Sequence, residues 1–257
     1  MVGKQVTQEV LDSSQYTVKS IQHYETVFGV DFVSPGGYEL AFELLGQLNV
    51  EPGSRVLDVG SGLGGSAFMM AREFGLIADG IDLSSNMLTL AKQKLEAYGL
   101  SDRVSLELCD CLELDRPTYY DAIYSRDVFL HIADKNRLFS ALHASLKPGG
   151  KLLFTDYCCG AKPWADSFSA YVESRGYSLH TLPEYADLMT DSGFRHVEYV
   201  DMTERFIDIL NQDLQKIDGL DFTESVRSEL KQSWHGKLER AKSGDHRWGL
   251  FSSMRAS

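Results

Sequence analysis

The chain has 257 residues, 37 acidic against 25 basic, for a formal charge of −12 at pH 7. That balance excludes broad nucleic-acid binding, which rests on Lys and Arg neutralising phosphates, and docking on an acidic membrane. An anionic small substrate must therefore be met by a local cluster of cations rather than by the whole-protein field.

The length suits a single domain, residues 1–257, whose residues 1–45 form an N-terminal helical segment and lid. RVLDVG (55–60) reads as a strand and leads into a helix from Ser66 carrying Phe68, Met69 and Arg72. IADGIDLS (77–84) is the next strand, followed by the helix SNMLTLAKQKLEAYG with Gly99 as its stop. RVSLELCD (103–110), YDAIYSRD (120–127) and GKLLFTDY (150–157) continue the strands. Between the last two lies a helix, DKNRLFSALHASLKPGG, ended by Pro148-Gly149-Gly150. Strands separated by helices specify an α/β, doubly wound, mostly parallel sheet whose ligands sit beyond the strands' carboxyl ends. Those ends are Gly60, Asp82, Asp110, Arg126 and Tyr157. Residues 158–182 are aromatic but little periodic and read as a lid inserted after a core strand. LPEYADLMTDSGF is a helix, RHVEYVDM a strand, and 204–242 a helical region broken near Gly219; 158–182 and 204–242 are expected on the substrate side. RWGLFSSMR closes the chain as an edge strand or antiparallel hairpin partner.

No apolar run reaches the ~18 residues of a membrane span, and MVGKQVTQEVLDSSQ lacks the apolar centre of a secretory signal, so a cytoplasmic, soluble protein without membrane anchoring is expected. Cys109-Asp110-Cys111 and Cys158-Cys159 lack the spacing of zinc or redox pairs and read as reduced thiols beside a core, with no metal.

VLDVGSGLGGS (56–66) fits two glycine fingerprints. Gly60, Gly62 and Gly65 spell the GxGxxG of nicotinamide and flavin proteins; Gly60, Gly62 and Gly64 spell the GxGxG of S-adenosylmethionine binders. Asp82 suits ribose hydroxyls in either case. Asp58 suits the cationic end of S-adenosylmethionine, Asp110 can meet an adenine amine, and LKPGGKLLF is a turn common in methyltransferases. Together these favour S-adenosylmethionine, with Gly60, Ser61, Gly62 and Gly64 making room for its methionine part.

From Gln15 to the last strand the chain resembles the phosphoethanolamine (phosphobase) N-methyltransferases. The resemblance is carried by QYT (15–17), YETVFG (24–29), FVSPGG (32–37), VLDVGSGLGG, YSRDVFLHI (124–132), TDYC (155–158), YVESRGY (171–177) and RWGLF (247–251). It implies the class I S-adenosylmethionine-dependent methyltransferase fold and methylation of phosphoethanolamine towards phosphocholine, with S-adenosylhomocysteine as the spent product. By the same resemblance Tyr16 and His131 match a catalytic pair and Asp127 an acid beside the amine. Gln15, Tyr24, Tyr157, Tyr171, Arg175, Tyr177 and Lys237, with Tyr16 and Asp127, match the phosphobase-binding set. Gln15, Ser34, Gly60, Asp82, Leu83, Asp110, Cys111 and Arg126 match cofactor contacts.

The chemistry is consistent with those roles. Displacement at a sulfonium methyl needs an amine lone pair, and an amine near the lysine value of about 10 must first lose a proton. A histidine titrating near neutrality, in contact with a tyrosine hydroxyl, can relay it. Arg175, Lys237 and tyrosine hydroxyls supply donors for a phosphate. If YVESRGY starts helical, Tyr171 and Arg175 share a face and Gly176 can turn Tyr177 back to it. Phe129, bulkier than the family's usual residue, tilts the expectation to the later steps, with phospho-monomethylethanolamine and phospho-dimethylethanolamine as acceptors. Rival readings are the first step or all three, another small acceptor on the same fold, a nicotinamide oxidoreductase, and a non-catalytic cofactor-binding protein. A monomer whose partner is the phosphobase alone is expected.

Overall fold

Thr7 caps a short helix, α1 (Gln8–Val10), which widens into a π-helical turn at Leu11–Gln15 before Tyr16 leaves helical geometry. This is a computed structural model, and it describes residues 7–256. Next come α2 (Val18–Phe28) and α3 (Gly37–Leu48). The alternating series follows as β1 (Arg55–Val59), α4 (Gly65–Glu73), β2 (Ile77–Asp82), α5 (Ser85–Tyr98), β3 (Val104–Leu108), β4 (Tyr120–Arg126), α6 (Lys135–Ser145) and β5 (Leu146–Cys159). The chain ends with α7 (Asp166–Arg175), α8 (Leu182–Asp191), β6 (Phe194–Asp201), α9 (Thr203–Gly219), α10 (Glu224–Ser243) and β7 (His246–Arg255). Local chemistry sets several boundaries. Ser84 caps α5 by accepting from the Met87 amide, and Gly99 ends that helix at φ +65°. Thr181 and Glu184 form a capping box at the start of α8.

The sheet order is β3-β2-β1-β4-β5-β7-β6, with β3 to β5 parallel and β7 antiparallel to both its neighbours. Val56, Ala78 and Ala122 face one core layer, with α3, α4 and α9, while Leu57, Ile123 and Leu152 face the other, with α6 and α8. Fully burying a side chain such as Val56 or Leu57 contributes about 1.5–3 kcal/mol, so this two-faced burial fixes the strand register. No helix among the described residues is long and apolar enough to cross a membrane.

Three local expectations are corrected. β7 pairs antiparallel, as one alternative had it, but it is not an edge strand: it lies between β5 and β6, with Trp248 and Phe251 fully buried, and the edge falls to β6, whose Glu198, Tyr199 and Val200 are exposed. Helix α6 ends at Ser145, ahead of Pro148-Gly149-Gly150, which belongs to the irregular start of β5. A proline disfavours helical geometry in the residue before it, and the chain is already extended at Leu146. Finally, 158–182 contains a true helix, α7, anchored by buried Phe168 and Val172 one turn apart.

Candidate active site

The strand ends form the floor of a cleft. After β1 the chain turns through Gly60 and Gly62 at φ +72° and +54°, and the Gly60 and Ser61 amides both donate to the Ile81 carbonyl, at 2.8 and 3.0 Å. A Cβ on Gly60 would lie 2.1 Å from Val128 Cγ2, so only glycine fits there. Asp82 accepts from the Gly62 amide through Oδ2 and from the Ser84 amide through Oδ1, each at 2.8 Å. Asp58 is 3% exposed and its Oδ2 has no partner; desolvation, then the Asp82 charge, pushes its carboxyl up to about 7. The Ser61 hydroxyl is likewise buried without a partner. Asp110 caps a 3₁₀ turn through the Leu112 amide at 2.9 Å, and beside it desolvation pushes the buried Cys111 thiol up to about 12. Buried Arg126 donates to the Gly37 carbonyl at 3.0 Å and to the Pro35 carbonyl, pinning the loop that carries Ser34.

The cleft is partly open to solvent and runs from the strand ends to the helices above them. Every expected site residue except Gly64 lines it. Gly64 is instead the N-cap of α4 at φ +87°, where a Cβ would strike the Phe68 ring at 2.5 Å; its glycine serves packing. Phe129 also lies elsewhere. It is fully buried against Phe139 and Phe154, while Val128 faces the cleft.

Asp127, directly after β4, adopts φ +57° and donates its amide to the Thr155 carbonyl at 2.8 Å. Its Oδ1 accepts from Trp248 Nε1 at 2.7 Å and the Thr155 hydroxyl at 3.2 Å, leaving Oδ2 buried without a partner. Desolvation raises the Asp127 carboxyl above its ordinary value. Trp248 and Thr155, which hold this acid, were not foreseen as site residues. His131 sits on the 3₁₀ turn that follows (Phe129–His131), between Tyr16 and Tyr177, at ring-centroid distances of 6.5 and 5.2 Å. No hydrogen bond joins Tyr16 to His131 among the described contacts, and His131 Nδ1 is without a partner. The expected near-neutral titration is also corrected: desolvation, with Lys135 and Arg175, lowers His131 to about 4. At neutral pH the ring is an uncharged acceptor. The Tyr16 phenol is raised by desolvation and by Asp82, so it stays a hydroxyl.

Helices roof the cleft. Tyr24 comes from α2, Tyr171 and Arg175 from α7, and Lys237 from α10, while Tyr157 extends from β5. Gly176 ends α7 at φ +66°, and the Tyr177 amide returns to the Val172 carbonyl at 3.1 Å, setting Tyr177 beside Tyr171 at 5.8 Å between ring centroids. Gln15 Nε2 reaches the Arg175 carbonyl at 3.5 Å. One turn from Lys237, Arg240 stacks 3.7 Å from the Tyr171 ring centroid, a cation that sequence reasoning passed over although its i+3 spacing was visible. Desolvation, then Arg175 and Arg240, lowers the Lys237 ammonium to about 8. None of the described ion pairs involves Arg175, Lys237 or Arg240.

This sheet order, with a glycine turn after β1 and acids closing β2 to β4, defines the class I S-adenosylmethionine-dependent methyltransferase fold. A family model described as a methyltransferase domain matches residues 56–150. The chain is 41% identical over 255 residues to phosphoethanolamine N-methyltransferase 3 of Arabidopsis thaliana, covering 96% of itself and 52% of that protein. Against the phosphoethanolamine N-methyltransferase of Plasmodium falciparum it is 34% identical over 259 residues, with 95% of each covered. Phosphoethanolamine N-methyltransferase 2 of Haemonchus contortus, solved with phosphomonomethylethanolamine and S-adenosylhomocysteine, superposes with TM-score 0.94 at 35% identity, over 97% of this chain and 60% of that one. The chain belongs to the phosphoethanolamine N-methyltransferase family. It spans about half the length of the plant relatives it matches.

Proposed function

We propose that this chain is an S-adenosylmethionine-dependent N-methyltransferase acting on phosphobases, on the route to phosphocholine. One observation carries the reading: a single cleft joins unpaired cations, Arg175 and Lys237, to an orphan carboxylate oxygen on Asp127. A phosphobase has the same polarity, with a phosphate dianion at one end and an amine at the other.

The donor's site fits these residues. Asp58 Oδ2 and the Ser61 hydroxyl are buried without partners, as an incoming ammonium and carboxylate require, and Gly60 leaves no side chain in the way. Asp82 would hold the ribose hydroxyls, and Asp110 with Leu83 and Cys111 the adenine end. When bound, S-adenosylmethionine supplies a methyl group activated by its sulfonium.

Arg175 and Lys237 grip the phosphate, and the tyrosine hydroxyls add neutral donors. Asp127 Oδ2 orients the amine. The amine proton leaves to His131 Nδ1, with the Tyr16 hydroxyl beside it. Arg175 is one of the charges that depress His131, so a dianion paired with Arg175 raises the basicity of the ring when the substrate arrives.

Phe129 is buried in the core and does not line the cleft, so it offers no contact with an acceptor. We infer a lean to methylated acceptors from other groups. Asp127 Oδ2 and His131 Nδ1 are two orphan acceptors, matching the two N–H groups of a monomethyl ammonium, and the tyrosine faces receive methyls without needing hydrogen bonds. The test is methyl transfer to phosphoethanolamine, its monomethyl and dimethyl forms, and free ethanolamine. The phosphorylated acceptors should react, the methylated ones fastest. Equal rates on free ethanolamine would end the phosphobase reading, and a preference for phosphoethanolamine would end the lean to later steps.

A further inference from the structure

The segment that carries Tyr16 has a limited apolar hold on the molecule: of Thr7–Thr17 only Leu11 is buried, and Tyr16 packs, part-buried, against Ile21, Leu63 and Met87. Polar contacts add the rest, and they converge on the first turn of α5. Asp12 Oδ1 accepts from the Ser84 hydroxyl at 2.5 Å and the Asn86 amide at 3.4 Å. Its Oδ2 accepts from the Ser85 hydroxyl at 2.7 Å and the Ser85 amide at 3.2 Å. In return, Asn86 Nδ2 donates to two backbone carbonyls, that of Asp12 at 3.1 Å and that of Tyr16 at 2.9 Å. Both ends of the π-helical turn are thereby tied to one helix start. The chemistry favours this arrangement: a carboxylate complements the unpaired amides and positive dipole end of a 14-residue helix. Desolvation opposes the charge on Asp12, but the hydrogen bonds from Ser84, Ser85 and Asn86 outweigh it and hold its carboxyl below the ordinary value.

We propose that Asp12 and Asn86 are positioning residues: together they clamp the Leu11–Tyr16 turn to α5 and so set Tyr16 over the cleft. The same clamp links the two halves of the site. Ser84, which donates its hydroxyl to Asp12, also donates its amide to Asp82, the acid expected to hold ribose. A ligand ordering the Asp82 turn therefore steadies the support of Tyr16, and loosening Tyr16's turn uncovers the cofactor end, since Leu11, Gln15 and Tyr16 line the cleft beside Asp82 and Met87.

The inference rests on the proposed role of Tyr16, and its test separates the two. Asp12→Ala, Asn86→Ala and the double variant are compared with the parent for turnover, release of S-adenosylhomocysteine, and amide hydrogen exchange. Each single variant should lose tenfold or more in kcat, release S-adenosylhomocysteine faster, and exchange faster only within residues 8–17, with melting temperature and β1 exchange unchanged. The double variant should be no worse than the weaker single within about twofold, because both residues close one clamp. Unchanged exchange at 8–17 would overturn the clamp, as would additive losses in the double variant. Faster exchange with full kcat would overturn its relevance to Tyr16. Should His131→Ala keep full turnover, the catalytic pairing fails while the exchange result still decides the clamp.

Discussion

The floor and the roof of the cleft are built from opposite materials. The floor is acidic and short-range: Asp58, Asp82 and Asp127 lie at the ends of adjacent strands, and backbone amides or neighbouring side chains fix Asp82 and Asp127. The roof is cationic and aromatic, assembled from helices far apart in sequence, and none of the described ion pairs includes its Arg175, Lys237 or Arg240, although Asp213 and Asp127 lie near enough to act on Lys237. A cleft with this polarity suits a ligand carrying both signs, and Tyr16 and His131, the proposed proton-handling pair, lie at its seam. On the proposed function, a protein of charge −12 holds an anion by segregating a few cations into helices away from its acidic strand ends.

The hardest break in this comparison is at the seam. His131→Ala should lower kcat by about 10²–10⁴-fold, the range for a general base, while S-adenosylmethionine affinity, a property of the floor, stays within about twofold. Normal turnover in that variant would remove His131 from the chemistry. Next, Lys237→Ala and Arg175→Ala should each raise the phosphobase KM by about 10–100-fold, as expected for charge-assisted hydrogen bonds of roughly 1.5–3 kcal/mol, and an unchanged KM would place the phosphate elsewhere. The pH profile sharpens the same point. Lys237 is lowered to about 8, so its ammonium is present below that pH and lost above it. The phosphate sheds its second proton near about pH 6, so kcat/KM should peak between these two values. Lys237→Arg keeps its charge and should extend activity past the alkaline limb; an unchanged limb would assign it to another group.

A smaller effect probes the floor's own support. Trp248→Phe removes the 2.7 Å bond to Asp127 and should raise the Asp127 carboxyl further, lowering kcat by about tenfold without altering phosphate affinity. If KM moves instead, Asp127 belongs with the phosphate grip rather than with the amine.

The two regions also differed in how far they could be read before folding. The floor was legible because its chemistry is local: the glycine turn follows β1, and each acid closes an apolar run at the point where a parallel sheet presents ligands. The roof has no such signature. Tyr16, Tyr24, Arg175 and Lys237 come from separate helical segments, and no spacing within one sequence links them; only the QYT, YETVFG and YVESRGY strings raised the first three above ordinary packing or surface residues. The placing of Lys237 came from the resemblance alone. Trp248 was quoted as part of a motif, but its hydrogen bond to Asp127 spans 121 positions and depends on β7 pairing with β5. The irregular lid concealed α7 because Phe168 and Val172 were its only two buried anchors.

Phe129 shows the finest limit, and it supplies the smallest predicted effect. Val128 and Phe129 are consecutive, at the entry to a 3₁₀ turn, and there the chain sends one side chain to the cleft and the next to the core. A shift of one residue reverses the functional reading, and residue size alone cannot supply that parity. Phe129→Leu should therefore behave as a core change: it loses the contacts with Phe154 and Phe139, at 4.8 and 6.0 Å between ring centroids, and costs on the order of 1–2 kcal/mol in unfolding free energy. The ratio of rates on the three phosphobases should stay within about twofold of the parent. A change in that ratio would mean that the core under the seam, and not the tyrosine wall, sets which amine is accepted.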